Sequence, residues 1–286
     1  MGQTVRTRDG MALVRRDWPS AGARGTIVIV HGLGEHIGRY AHVAARLNAS
    51  GWSVVGYDQR GHGQSPGEQG RLATGDDLLA DLAAVIVDVR AATSGSLVLL
   101  GHSLGGLVVA RFAAGALESP PPVWQRDIDG LVLSSPALDI GMTTGKRVLL
   151  ATLETLAPNL GIGNGLDVGA ISRDAAVVAA YRADPLVHDR IAPRLARFLA
   201  DAGPAVLALA PRWRVPTLLL YAGSDRCVVP AGSAAFVAAA PPSLVTARVF
   251  PALFHEIFNE PERDEVLGVL TAWLDTLTVS LTRSPR

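Results

Sequence analysis

Six short runs in this chain, Thr26–Val30, Ser53–Tyr57, Leu97–Gly101, Gly130–Ser134, Thr217–Tyr221 and Ala247–Phe250, are apolar at nearly every position rather than at every second one. A strand with one wet face alternates in polarity, whereas a strand covered on both faces has no reason to. The stretches between these runs are mostly long enough for crossover helices. Helical patterns fall at roughly Tyr40–Ser50, Asp76–Thr93, Leu104–Glu118, Ala231–Ala240 and Pro261–Leu277, the last opening with proline at a first-turn position. The alternation predicts an α/β architecture, a mostly parallel central sheet with helices on both faces.

One interval breaks the rhythm. From about Leu138 to Trp213, some 75 residues of Leu/Ala-rich, mainly helical sequence separate two strands where a short crossover would suffice. This predicts a helical cap over residues 139–213, inserted between two parts of one core, 1–138 and 214–286. Inside the cap, Arg147–Leu156 carries Val148, Leu149, Leu153 and Leu156 at helical spacing, and Asn159–Gly169 reads as a glycine-broken connection. Helices are expected over about Asp174–Arg182 and Ala192–Ala210, with Gly203-Pro204 placed to kink the second.

At 286 residues the chain is long enough for a sizeable core without a second domain. Its 26 basic and 26 acidic residues cancel, which leaves no global field to draw in nucleic acid. A single cysteine, Cys227, excludes an intramolecular disulfide framework and a cysteine-built zinc site; it reads as a small buried hydrophobe. The first ten residues hold no apolar segment of the kind that opens a secretory signal, and no stretch reaches the roughly 18 uninterrupted apolar residues of a spanning helix. Mean hydropathy is nevertheless positive, at +0.28, an excess expected to fill a large core and an apolar site. These features predict a cytoplasmic protein that touches lipid surfaces peripherally.

The chemistry is carried by a strand, a turn and a helix in succession: Leu97-Val-Leu-Leu-Gly101-His102-Ser103-Leu104-Gly105-Gly106. Gly-x-Ser-x-Gly alone is a weak signal, and its context decides. A sharp strand-to-helix turn lifts a serine to the sheet's edge in a strained conformation, and the flanking glycines admit close backbone packing. The helix N-terminus beneath adds unpaired N–H groups and partial positive charge. The plain alternative is a helix-capping serine.

A nucleophile that attacks a carbonyl needs two preorganised donors for the oxyanion. The Leu104 N–H is one, directly after the nucleophile. The other is the Leu33 N–H in His31-Gly32-Leu33-Gly34, which ends a buried strand. For base and acid the expected order is Ser, then Asp or Glu, then His. Of the seven histidines only His255 follows Asp225. Asp225 lies in the loop after Leu218–Tyr221 and is the candidate that orients the imidazole, with Asp139 as its rival. His31 and His102 belong to the two turns and are expected to orient backbone.

With these residues located, the chain resembles the monoacylglycerol lipase family, within the wider α/β-hydrolase group of lysophospholipase-like and serine-aminopeptidase-like enzymes. The marks run along nearly the whole chain: His31-Gly-Leu-Gly-Glu35-His36-Ile-Gly-Arg39-Tyr40, Asp58-Gln-Arg60-Gly-His62-Gly, Gly101-His-Ser-Leu-Gly-Gly106, Asp184-Pro-Leu-Val-His188, Gly223-Ser-Asp225-Arg226 and His255-Glu-Ile-Phe-Asn259-Glu-Pro261. One departure is Leu104, where many members carry methionine, which leaves the backbone donor unchanged. The resemblance implies a helical cap over an apolar acyl tunnel, a polar pocket beside the triad, and cleavage of monoacylglycerol to fatty acid and glycerol through an acyl-enzyme, without metal or organic cofactor. Glu35 and Arg39 then either line that polar pocket or form a buried ion pair that holds the loop. The same triad serves a general carboxylesterase or a lysophospholipase, and a silent binding protein is the rival from another class. The cap's leucines either pack over the cleft or meet membranes and micelles.

Overall fold

The computed structural model describes residues 3–283. Its centre is an eight-stranded sheet formed by β1 (Gln3–Arg6), β2 (Ala12–Trp18), β3 (Gly25–Val30), β4 (Ser53–Tyr57), β5 (Ser96–His102), β6 (Gly130–Ser134), β9 (Thr217–Ala222) and β10 (Val245–Phe250), in the order β1-β2-β4-β3-β5-β6-β9-β10. Strands β4 to β10 run parallel along this row, whereas β1 and β2 join it antiparallel.

Why the central strands are apolar throughout is visible in β3. Ile27 and Ile29 face one core with Leu47 of α1 (Ala41–Ala49) and Leu270 and Leu274 of α8 (Arg263–Arg283). Val28 and Val30 face the other, with Leu82 of α2 (Asp77–Ala92) and Val108 of α3 (Leu104–Gly115). Each layer removes a full apolar face from water, and each buried aliphatic side chain contributes about 1.5–3 kcal/mol.

Strands β1 and β2 are absent from the sequence reading for the converse reason. Gln3-Thr-Val-Arg forms one edge of the sheet and Ala12-Leu-Val-Arg-Arg-Asp-Trp the strand next to it, and alternate residues such as Val5, Leu13 and Arg15 are the buried ones. Arg15 is taken inside with its charge met by Asp17 and Asp88. Several boundaries also move, among them α8, which runs on to Arg283 rather than Leu277, and the first helix of the insertion, which starts at Thr144 rather than Arg147. α3 stops at Gly115 rather than Glu118, β10 starts at Val245 rather than Ala247, and α8 starts at Arg263, so Pro261 sits in the preceding turn instead of the helix's first turn.

The insertion between β6 and β9 holds α4 (Thr144–Leu156), a two-residue strand β7 (Ile162–Gly163), a 3-10 turn at Val168–Ala170, α5 (Ala175–Ala183), β8 (Arg190–Ile191) paired with β7, and α6 (Pro193–Leu209). Helix α6 continues through Pro204 and buries Leu195, Phe198 and Val206 in the core that α3 shares. At Gly203 an added Cβ would sit 2.2 Å from the Leu138 carbonyl oxygen, so only glycine lets α6 lie this close to the chain leaving β6. After β9, α7 (Pro230–Ala239) precedes β10. Among the described residues no helix is long and apolar enough to cross a membrane.

Candidate active site

Strand β5 ends at His102 and α3 begins at Leu104, so the whole reversal falls on Ser103, whose φ of 55° and ψ of −118° lie outside the regions comfortable for a side chain. The neighbours make the turn possible. A Cβ on Gly101 would meet the Gly105 carbonyl oxygen at 2.3 Å, and one on Gly105 would meet the Val30 carbonyl oxygen at 2.1 Å. Backbone bonds from Ser103 N–H to Ser134 O (3.0 Å) and from Leu107 N–H and Ala137 N–H to Ser103 O (3.0 Å each) hold the strained residue. Ser103 occupies the capping position of α3, yet its side chain makes no capping bond.

Its Oγ lies instead 2.8 Å from His255 Nε2, and His255 Nδ1 lies 2.7 Å from Asp225 Oδ2. The other Asp225 oxygen accepts the Cys227 and Val228 N–H groups at 2.8 and 3.0 Å. Burial acts to raise the Asp225 pKa, but the hydrogen bond and charge of His255 and these two N–H groups outweigh it and leave the carboxyl below its ordinary value. An ionised carboxylate only accepts, so the proton between the two belongs to His255 Nδ1, and the Nε2 lone pair is left to take the Ser103 proton. The structure thus brings Ser103, His255 and Asp225 into one line. The rival Asp139 is not in it: its carboxylate caps the Gly141 N–H and its carbonyl accepts from Val229.

The second turn, after β3, approaches from the side. Gly32 is so near Ser103 that an added Cβ would lie 3.3 Å from the serine Cβ. Among the described residues, neither the Leu33 nor the Leu104 N–H has an acceptor within the protein. Ser103 and Leu33 keep partial exposure, while His255 and Leu104 are buried. His31 does hold backbone: its ring lies 2.8 Å from Gly32 O and accepts the Gln59 N–H at 3.0 Å. His102 similarly reaches Ser134, and burial beside His255 pushes its pKa down to about 3, so it stays neutral.

Glu35 and Arg39 meet as a buried ion pair at 2.5 Å. Glu35 Oε1 also accepts the Gly32 N–H and the Tyr40 hydroxyl, both at 2.6 Å. Burial opposes its charge, but Arg39 prevails and holds the carboxyl down to about 2. Arg39 in turn makes a two-pronged bond to Glu256, at 2.7 Å on each arm, and lies 4.7 Å from the centre of the Tyr181 ring. Neither Glu256 nor Tyr181 was singled out from sequence. Both stand within or beside the quoted motifs, but only the tertiary fold brings them to Arg39, so no spacing signals them.

Asp225, Cys227 and His255 present three potential metal-ligating atoms within 4.8 Å. The donor set is poor for a cation, because Asp225 and His255 are spent on each other and burial beside Asp225 pushes the Cys227 thiol up to about 12. Cys227 itself is only half-buried.

Residues 21–262 match the family model of the S33 serine aminopeptidase hydrolases. A monoacylglycerol lipase of Mycolicibacterium smegmatis is 37% identical over 93% of this chain and 93% of its own, and the phospholipase YtpA of Bacillus subtilis is 30% identical over 90% and 98%. The crystal structure of a Paleococcus ferrophilus monoacylglycerol lipase superposes with a TM-score of 0.83 at 34% identity, covering 93% of this chain and 99% of that one. The chain belongs to the S33 hydrolase family that includes the monoacylglycerol lipases, built on the α/β-hydrolase fold.

Proposed function

We propose that the protein is a serine ester hydrolase that cleaves monoacylglycerol to fatty acid and glycerol. The observation that carries this reading is the line Ser103–His255–Asp225, with distances of 2.8 and 2.7 Å and the serine held at φ 55° between two turns. Ser103 Oγ attacks the ester carbonyl as His255 Nε2 takes its proton; Asp225 steadies the imidazolium without taking that proton. The oxyanion is received by the Leu33 and Leu104 N–H groups, preorganised donors of a kind worth about 3–4 kcal/mol each in the transition state. His255 then protonates the departing glycerol oxygen, and water, activated by the same imidazole, releases the acid. Every group in the cycle belongs to the protein or is water.

The substrate class rests on the monoacylglycerol lipases among the relatives and on the Gly-Glu35-His-x-x-Arg39-Tyr string. The second reading, a lysophospholipase or general carboxylesterase, draws on the phospholipase relative from Bacillus subtilis. A binding protein has no use for a strained serine aligned with a base. We further assign residues 139–213 to a cap between core parts 1–138 and 214–286, and the cell's interior as the place of action. Exposed Val148, Leu149, Leu156, Leu160 and Ile162 suit brief contact of the cap with micelles or membranes that hold the substrate.

The test is a rate comparison across monoacyl-, diacyl- and triacylglycerols, a lysophospholipid and short p-nitrophenyl esters, for wild type and Ser103→Ala. The expected result is a preference for monoacylglycerol and a loss of about six orders of magnitude in turnover in the variant. A preference for short esters or lysophospholipid would replace the substrate class, and undiminished activity in Ser103→Ala would remove the mechanism.

A further inference from the structure

The oxyanion turn, Gly32 to Glu35, and the loop that carries His255 come from opposite ends of the chain, yet the reaction proposed above needs them in fixed register, since one must hold the oxygen while the other moves the proton. A chain of charged hydrogen bonds joins them. Glu35 Oε1 accepts the Gly32 N–H at 2.6 Å, Glu35 Oε2 meets Arg39 Nη1 at 2.5 Å, and Arg39 Nη1 and Nη2 donate to the two oxygens of Glu256 at 2.7 Å each. Glu256 is the residue next to His255. Its Oε2 also accepts from Asn259 Nδ2 at 2.8 Å, and its N–H is fixed to Ile171 O of the insertion at 2.8 Å.

We propose that Arg39 and Glu256 are positioning residues, a strut that sets the distance between the oxyanion turn and the base and does not itself touch the substrate. All four carboxylate oxygens of Glu35 and Glu256 already hold a protein donor. The two glutamates are 3% and 5% exposed. A guanidinium suits the post because its planar fork can address two carboxylates at once, which an ammonium cannot reproduce. Because Tyr181 of α5 covers the guanidinium, the strut also gives the insertion a hold on both loops. A shift of about 1 Å in such a register costs on the order of 100-fold in rate.

This role rests on the esterase reading, and the experiment separates the two. Glu256→Gln and Arg39→Lys are assayed on a glycerol monoester and a p-nitrophenyl ester of the same acyl chain, with thermal melts beside them and Ser103→Ala as reference. The strut predicts that kcat falls by about 10- to 100-fold equally on both esters, with KM within about twofold of wild type, in variants that still melt cooperatively. Should either variant fail to fold, Asn259→Ala, which removes one bond to Glu256, is expected to give a smaller loss, about 2- to 10-fold, with the same indifference to leaving group. A loss confined to the glycerol ester, or appearing in KM alone, makes the cluster a leaving-group contact and overturns the proposal. Wild-type kcat in folded variants beside an inactive Ser103→Ala overturns the strut alone, and an active Ser103→Ala overturns the esterase reading and the strut with it.

Discussion

The two halves of the insertion between β6 and β9 are built alike and attached differently. The second half, from the turn at Val168–Ala170 to β8, is pinned to the loops around Ser103. His188 N–H donates to Gly34 O at 2.9 Å, Asp184 pairs with His36 at 2.9 Å, Ile171 O accepts from Glu256, and the Arg173 N–H and side chain both reach the wholly buried Glu260. The first half, α4 and its following loop, touches the rest chiefly through α6. Only Leu150 of α4 is buried, while Val148, Leu149 and Leu156 are 64%, 59% and 78% exposed. One half therefore works as a wall of the site, and the other as a surface whose apolar side chains face outward. The lesson is that apolar patterning marks what a helix offers, whereas attachment here is decided by polar groups at helix ends: α5 has no buried residue at all, yet its flanks grip the turn that follows β3.

The strongest way to break this contrast is Gly34→Ala. Gly34 has a φ of 77°, and a Cβ there would stand 2.2 Å from the His188 carbonyl oxygen. The side chain would strain the turn and push it from the cap together. Steady-state kinetics should record a loss on the order of 100-fold in kcat; an unaffected kcat would mean that the turn does not depend on its contact with the second half.

A middle-sized effect concerns acid. His62, after β4, lies with its ring 4.6 Å from that of His188 at the same junction, and burial holds its pKa well below the ordinary value, with the neighbouring His31 and His188 rings adding to the shift. The unfolded chain takes up that proton near pH 6.5 and the folded one only at lower pH, so stability falls as pH drops below about 6.5. Denaturant unfolding of wild type and His62→Asn at pH 7 and pH 5 should show a smaller drop in the variant. Equal drops in the two proteins would mean that this histidine does not titrate with unfolding.

The smallest effect belongs to the loose half. Leu149→Ser and Leu156→Ser should change stability by no more than about 0.5 kcal/mol and leave hydrolysis of a dissolved short ester unchanged. Rates on micellar monoacylglycerol should fall. A large drop in melting temperature would show α4 to be packed as firmly as α5.

Much of this was legible in the chain. All-apolar runs gave away the central strands that have helices on both faces, whereas the sixth run, Ala247–Phe250, falls on the edge strand β10, whose residues Thr246 to Val249 are exposed; the order Ser103, Asp225, His255 with a strand before each gave the line that the fold assembles. Strands β1 and β2, at one end of the sheet, escaped because polar residues interrupt their short apolar runs, with Arg15 itself taken inside. The Arg39–Glu256 contact escaped for another reason: ion pairs between distant segments leave no period in the sequence. Glu35 was visible through its motif, but that its carboxylate fastens the Gly32 N–H could only come from the turn's geometry.

The central claim, that Ser103 is a nucleophile activated by His255, is met most directly by treating the protein with a fluorophosphonate and mapping the adduct by mass spectrometry. The account predicts one adduct, on Ser103, absent from Ser103→Ala and formed far more slowly in His255→Ala. Labelling at another residue, or undiminished labelling in His255→Ala, would contradict it.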